Sequence, residues 1–341
     1  MINQLQILNS PRSKQGYISQ KSIYVFIAAV LYASFIVFFP WIFIIKTEEI
    51  KDFDRVVEYY NSIQIPKSEI YGWTSLVQYL TGEALWDTIV LSLTSITGEA
   101  SVSLHIISFF ICMVWGIFLF SRMPVGWALA FLLNPISIDV VISGIRNGFA
   151  WSLVILGLMV TRIFFKYSIL LITPFIHTSS VAFLMLIFSV KKIIRPLSSK
   201  LNVILIAVGS GAAIALSLTV FKDIVFSITG DRRAVYEYVR GGGSYLHMLF
   251  FIILIFTQLM CNIDYIKKHG IAISLIAWYL VMNPFIPWSF RIWGAAIPLI
   301  AYAIWELPGK KKQIILFLWI GNLSLWYLYW TKLFNYWYYW L

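Results

Sequence analysis

The 341 residues are 60% hydrophobic and 12% charged, with a mean hydropathy of +0.82. Soluble domains carry about 25% charged residues, so an ordinary globular enzyme is excluded. The net charge of +11 does not indicate a nucleic-acid binder, because the basic residues stand between apolar runs instead of forming a basic domain.

Apolar runs of about 18 residues or more read as membrane helices, since hydrocarbon offers the backbone no partner outside its own segment. The sequence lacks the alternating pattern of a membrane β-barrel. Residues 1–21 are polar and basic, without the cleavage pattern of a secretory signal, and read as a cytoplasmic tail. The first span is 22–45. Residues 46–100 form a polar outer segment rich in Asp and Glu; within it 83–98 reads as a helix lying on or dipping into the membrane. Further spans follow at 101–120, 124–142 and 147–164. The run 167–190 is long enough to cross, yet Arg162 and Lys166 precede it and Lys191, Lys192, Arg195 and Lys200 follow it, so both flanks carry the cytoplasmic mark. Thr173-Pro174 breaks its middle. Those two facts predict a re-entrant pair of half-helices. Later spans are 201–220, 245–263, 271–288, 292–305 and 314–329. The total is about ten membrane segments in one all-α domain, 1–341.

With the N-terminus inside, 15 of the 26 Lys and Arg residues face the cytoplasm, and all but Asp264 and Glu306 of the 15 acidic residues face out. Lys/Arg bias sets orientation. Cys112 and Cys261 lie in or at the end of apolar runs and read as packing residues. His105, His247 and His269 show no metal-ligand spacing, and no metal site is predicted.

Candidate chemistry gathers on the outer side. Arg146 stands in Asn134-Pro135-Ile136-Ser137-Ile138-Asp139, then Gly144-Ile145-Arg146-Asn147-Gly148, at the outer mouth of two spans. Charge at this depth is costly and is usually paired or functional; the plainer alternative is an anchor that snorkels to the interface. Arg291, after Pro284 and Pro287, opens a late span and admits the same two readings. Two guanidinium forks at neighbouring helix mouths suit one anionic ligand. The loop 221–244 interleaves Arg232, Arg233 and Arg240 with Tyr236 and Tyr238, then runs Gly241-Gly242-Gly243; it reads either as a mobile, lid-like turn, with Tyr rings suited to sugar faces and Arg to phosphate or carboxylate, or as an ordinary solvated loop. His177 sits in the broken segment beside Thr178, Ser179 and Ser180, as a catalyst or a satisfied structural histidine. Glu83 heads the interfacial helix, as a general base or a helix-start carboxylate.

In this order, the residues resemble the EpsG-like branch of Wzy polymerases, which polymerise O-antigen and exopolysaccharide repeat units. Asp52, Asp54 and Tyr59-Tyr60 follow the first span. Glu83-Ala84-Leu85-Trp86 resembles the family's Glu-Pro-Leu-Phe-like helix start, with Ala84 in place of Pro. Gly144-Ile145-Arg146-Asn147-Gly148-Phe149-Ala150 resembles its Ile-Arg-Gln-Gly-Leu-Ala block, with Asn147 in place of Gln, and Gly157 follows Arg146 at the family's spacing. Phe175-Ile176-His177-Thr178-Ser179-Ser180 resembles its Phe-His-x-Ser-Ala block, and Phe290-Arg291-Ile292 its late Arg-Leu/Ile block.

The resemblance implies a GT-C-like membrane glycosyltransferase of the bacterial inner membrane that needs no cofactor. It would transfer a growing glycan from undecaprenyl diphosphate to a lipid-linked repeat unit on the periplasmic face. A chain-length regulator and a flippase of the same pathway would be its partners. Arg146, Arg291, His177 and Glu83 would be catalytic; Arg232, Arg233, Arg240, Tyr236, Tyr238, Asp139 and Asn147 would bind substrate. The rival readings are a lipid-linked oligosaccharide flippase, an O-antigen ligase-like transferase, and a structural membrane subunit. Ligases usually carry a larger outer loop containing His, and 221–244 has none.

Overall fold

The computed structural model describes residues 20–41, 44, 51–63, 65–70, 72, 74–220, 245–286 and 289–331. The described residues are all-helical, about 84% of them in helix, with no strand among them. The loop 221–244, and with it Arg232, Arg233, Tyr236, Tyr238 and Arg240, lies outside them.

α1 (Gln20–Phe38) packs along α6 (Ala100–Phe120). The two helices approach so closely that a Cβ at Gly116 would meet Ala29 Cβ at 3.1 Å. Small residues at such seams replace the hydrophobic drive that lipid removes. Between them lie α2 (Lys51–Ser62), α3 (Lys67–Ile70), α4 (Leu76–Thr81) and α5 (Ala84–Thr97). In α2, Phe53, Val56, Val57 and Tyr60 repeat at helical spacing and turn one face to the core. α4 opens with a capping box in which Ser75 and Gln78 satisfy each other's backbone N–H groups.

The span expected at 124–142 is broken. α7 (Val125–Leu132) and α8 (Pro135–Ile142) meet at 67°. Asn134 caps α8 by accepting from the Ile136 N–H at 2.9 Å, and Pro135 occupies its first turn. The cap and the proline stop one helix and start another where hydropathy alone drew a single run. α9 (Ile145–Met159) also ends sooner than the 147–164 span. Val160 and Arg162 are extended, and α10 (Ile163–Ile172) doubles back along α9. A short 3-10 turn, Thr173–Phe175, separates α10 from α11 (Ser180–Ile194), so the run expected to break at Thr173-Pro174 does break there.

The remaining helices are α12 (Lys200–Val220), α13 (Tyr245–Leu259), α14 (Ile263–Met282), α15 (Phe290–Trp305) and α16 (Gly309–Trp330). Tyr327 on α16 donates to the Leu133 carbonyl at 2.6 Å, and Trp319 Nε1 to the Ala130 carbonyl at 3.0 Å. These contacts satisfy the carbonyls left open at the end of α7, which lipid could not satisfy. One continuous core links Val25 to Trp330; Trp151, Phe183 and Trp278 pack ring against ring at tilted angles through it, joining α9, α11 and α14. Among the described helices, α1, α6 and α12 are long and apolar enough to cross a membrane, and α7 with α8 makes a fourth if the bent pair counts as one span. α5, α9, α13, α15 and α10 with its 3-10 extension are apolar but shorter.

Candidate functional site

Gly157 fixes the register of the α9/α10 hairpin. A Cβ there would meet Leu170 Cδ2 at 2.9 Å and the Lys166 carbonyl at 3.5 Å. Arg146 lies as many residues before Gly157 as His177 lies after Lys166. Helices that run antiparallel from a Gly157–Lys166 pairing therefore end with Arg146 and His177 at one level.

Glu83 closes that end. Its backbone is in the left-handed region, φ 57° and ψ 44°, the one non-glycine residue there among those described. That conformation costs a side-chain-bearing residue roughly 1–2 kcal/mol. The residue stands at the N-cap of α5 but makes no side-chain cap to its own helix. The carboxylate, 8% exposed, is directed elsewhere: Arg146 Nη1 donates to Oε2, and His177 Nδ1 faces Oε1. The Thr178 N–H adds a longer contact to Oε1 at 3.4 Å. Thr178 Oγ1 also donates to the Leu80 carbonyl at 3.1 Å, which ties the hairpin tip to the end of α4. A carboxylate only accepts, so this contact places the imidazole proton on Nδ1 and leaves Nε2 as the ring's other working atom.

Beside this trio, Asn147 Nδ2 donates to the Arg291 carbonyl at 3.2 Å, joining the start of α9 to the start of α15. Arg291 Nε lies 3.9 Å from Asp139 Oδ2 on α8. Asp139 is 2% exposed and balances Arg291 from inside the bundle. Two glycines make this convergence possible. A Cβ at Gly148 would lie 2.9 Å from the Val140 carbonyl, and one at Gly294 would lie 2.5 Å from Ile136 Cγ2.

The contacts of Glu83, Arg146, His177 and Arg291 therefore bring the starts of α5, α9, α11 and α15 to one place. Helix starts carry partial positive charge and unpaired N–H groups, and they favour an anion. Ser143 Oγ, Asn147 Oδ1 and Ser179 Oγ, on the same short segments, are buried with no hydrogen-bond partner among the described residues. Buried polar atoms are rarely left so, and these three are available to a ligand.

One further layer is not apparent from the sequence. Asp87, one turn after Glu83 on α5, is 1% exposed; Tyr60 donates to its Oδ1 at 2.5 Å, and Lys67 Nζ lies 3.5 Å from its Oδ2. Burial first, and then the Asp87 charge, push the Tyr60 phenol well above its ordinary range, so Tyr60 stays a donor. The spacing of Glu83 and Asp87 was the available signal, since residues four apart share a helix face.

A different charged group pins the start of α14 to the end of α15: Lys268 and His269 reach Glu306 at 2.6 and 2.7 Å. Burial alone would raise the Glu306 carboxyl, but hydrogen bonds from His269, Lys268 and Tyr302 outweigh it and hold the group down to about 2. Among the described residues no three His, Cys, Asp or Glu side chains are grouped to hold a metal ion. No family model, curated protein or solved structure matches this chain.

Proposed function

We propose that this chain is a polysaccharide polymerase of the bacterial inner membrane, transferring a growing glycan from undecaprenyl diphosphate to a lipid-linked repeat unit at the periplasmic face. In this reading the short apolar helices complete about ten membrane segments in a GT-C-like architecture. α10 and α11 form a hairpin that enters and leaves on the cytoplasmic side, with His177 at its tip. The observation that carries the reading is the Glu83–Arg146–His177 cluster at three converging helix starts, with Arg291 at the start of a fourth joined to it through Asn147.

The acceptor sugar hydroxyl attacks the anomeric carbon, its oxygen forms the new glycosidic bond, and the bond to the diphosphate breaks with its electron pair leaving on the diphosphate. Arg146 and Arg291 stabilise that charge, as fixed cationic donors do best in a site that excludes water. His177 Nε2 takes the hydroxyl proton. Glu83, with both oxygens engaged, holds Arg146 and His177 in place and is a positioning residue instead of the base. The pyrophosphate bridges the helix starts, and the loop 221–244 contributes Arg232, Arg233, Arg240, Tyr236 and Tyr238 to the glycan. A chain-length regulator and a flippase serve the same pathway.

Deleting the gene in its host tests the class. A polymerase null leaves single repeat units on the surface lipid, whereas a flippase null leaves none. Complementation with Arg146→Ala or Arg291→Ala restores membrane protein but no long chains. Wild-type chain lengths from either variant on a glycan gel would remove that arginine from the mechanism.

A further inference from the structure

The end of the α10/α11 hairpin away from His177 holds an open pocket of about 650 Å³. Lys166 comes from the first turns of α10, Lys191 and Lys192 from the last turn of α11, and Arg195 from the residue that follows. Leu170 and Ile187 line it with apolar wall, and no acidic residue does. None of the four cations has an ion pair among the described residues; the nearby Lys267 reaches only the Arg195 carbonyl, at 3.5 Å. Outside the pocket the hairpin shows apolar surface: Phe164 is 76% exposed and Leu171 63%.

Four like charges around a concavity raise the local positive potential and favour an anion among them. The cations share one pocket with an apolar wall, and that combination is the telling feature. Its volume falls in the range of small-ligand sites, about 300–1,000 Å³. A free phosphate would use the cations but not the apolar wall. A phospholipid with a net negative headgroup uses both, placing phosphate among the cations and acyl chains along the exposed face of α10 and α11. We propose that this pocket is a binding site for an anionic phospholipid of the leaflet on the basic side, cardiolipin being the best match because its two phosphates meet four cations. Basic pockets between membrane helices hold such headgroups by the same electrostatics.

The site is separate from the polymerase chemistry and stands or falls without it. The full chain, purified in a neutral detergent and stripped of lipid, is titrated with cardiolipin, with phosphatidylcholine and with inorganic phosphate, and bound lipid is counted by native mass spectrometry. Cardiolipin is expected to bind at least tenfold more tightly than phosphatidylcholine. Each cation near the surface contributes about fivefold, so Lys192→Ser with Arg195→Ser weakens cardiolipin about 25-fold. Lys310→Ser with Lys312→Ser, in the other basic cluster, leaves binding unchanged. Equal binding of phosphatidylcholine, competition by millimolar phosphate alone, or an equal loss in both double variants would overturn the proposal. If the Lys192/Arg195 variant does not accumulate, the wild-type lipid preference still decides it.

Discussion

Replacing Glu83 separates two contributions that the structure superimposes at one residue. Its carboxylate is 8% exposed and is shared by Arg146 and His177; its backbone is strained in the left-handed region. Removing one partner of a buried ion pair costs about 3–5 kcal/mol. Glu83→Ala belongs at the low end, about 3 kcal/mol, because the Arg146 side chain is 39% exposed and recovers part of its solvation. Alanine keeps the left-handed strain and glycine releases it, so Glu83→Gly is expected to be more stable than Glu83→Ala by about 1 kcal/mol despite losing the same carboxylate. Because Arg146 shares the interaction, Glu83→Ala with Arg146→Ala should fall short of the sum of the two single losses by about 1–3 kcal/mol. The assay is thermal unfolding of the detergent-purified protein, read as loss of the monodisperse peak after heating. A glycine variant no better than alanine would refute the strain argument, and strict additivity would refute the ion pair.

Two other outcomes follow from the same geometry. His177→Asn keeps a donor where Nδ1 now faces Glu83 but removes the ring nitrogen assigned as base; melting should hold near wild type while glycan transfer falls about 10²–10⁴-fold, and an active Asn variant would shift the base elsewhere. At the α12–α14 seam, Ala207, Gly211 and Ala215 form a buried small-residue stripe, Ser274 Oγ donates to the Ala207 carbonyl at 2.5 Å, and a Cβ at Gly211 would lie 1.9 Å from the Ser274 carbonyl. Gly211→Ala must push the helices apart, and a loss of at least about 2 kcal/mol is expected; unchanged melting would contradict that packing.

The helices were legible because apolar runs in a charge-poor chain leave the backbone no other solution. Their breaks were legible in part. Thr173-Pro174 predicts a break and the helix breaks there, whereas Asn134-Pro135 carries the same kind of signal, a cap followed by a proline, inside an apolar run whose hydropathy is continuous across it. Glu83, Arg146, His177 and Arg291 each stood out as charge or imidazole beside apolar sequence. Their grouping did not, because it depends on the hairpin register set at Gly157 and on the left-handed turn at Glu83, neither of which spacing reports. The sequence offers Glu83 as a general base or a helix-start carboxylate; it does not show that both carboxylate oxygens are engaged, by Arg146 and His177. The role of Asp87 is not legible in the sequence, since its partners, Tyr60 and Lys67, come from segments whose placement depends on tertiary packing.

Transfer in a defined system tests the central claim most directly. The purified chain, in liposomes with lipid-linked repeat units from its own host, is expected to lengthen the glycan and release undecaprenyl diphosphate in step, one per bond formed. Arg146→Ala should slow both by about a hundredfold or more, as the loss of a transition-state contact does. Release at the wild-type rate from the Arg146→Ala protein, or movement of intact lipid-linked units across the bilayer without any glycan growth, would contradict the account.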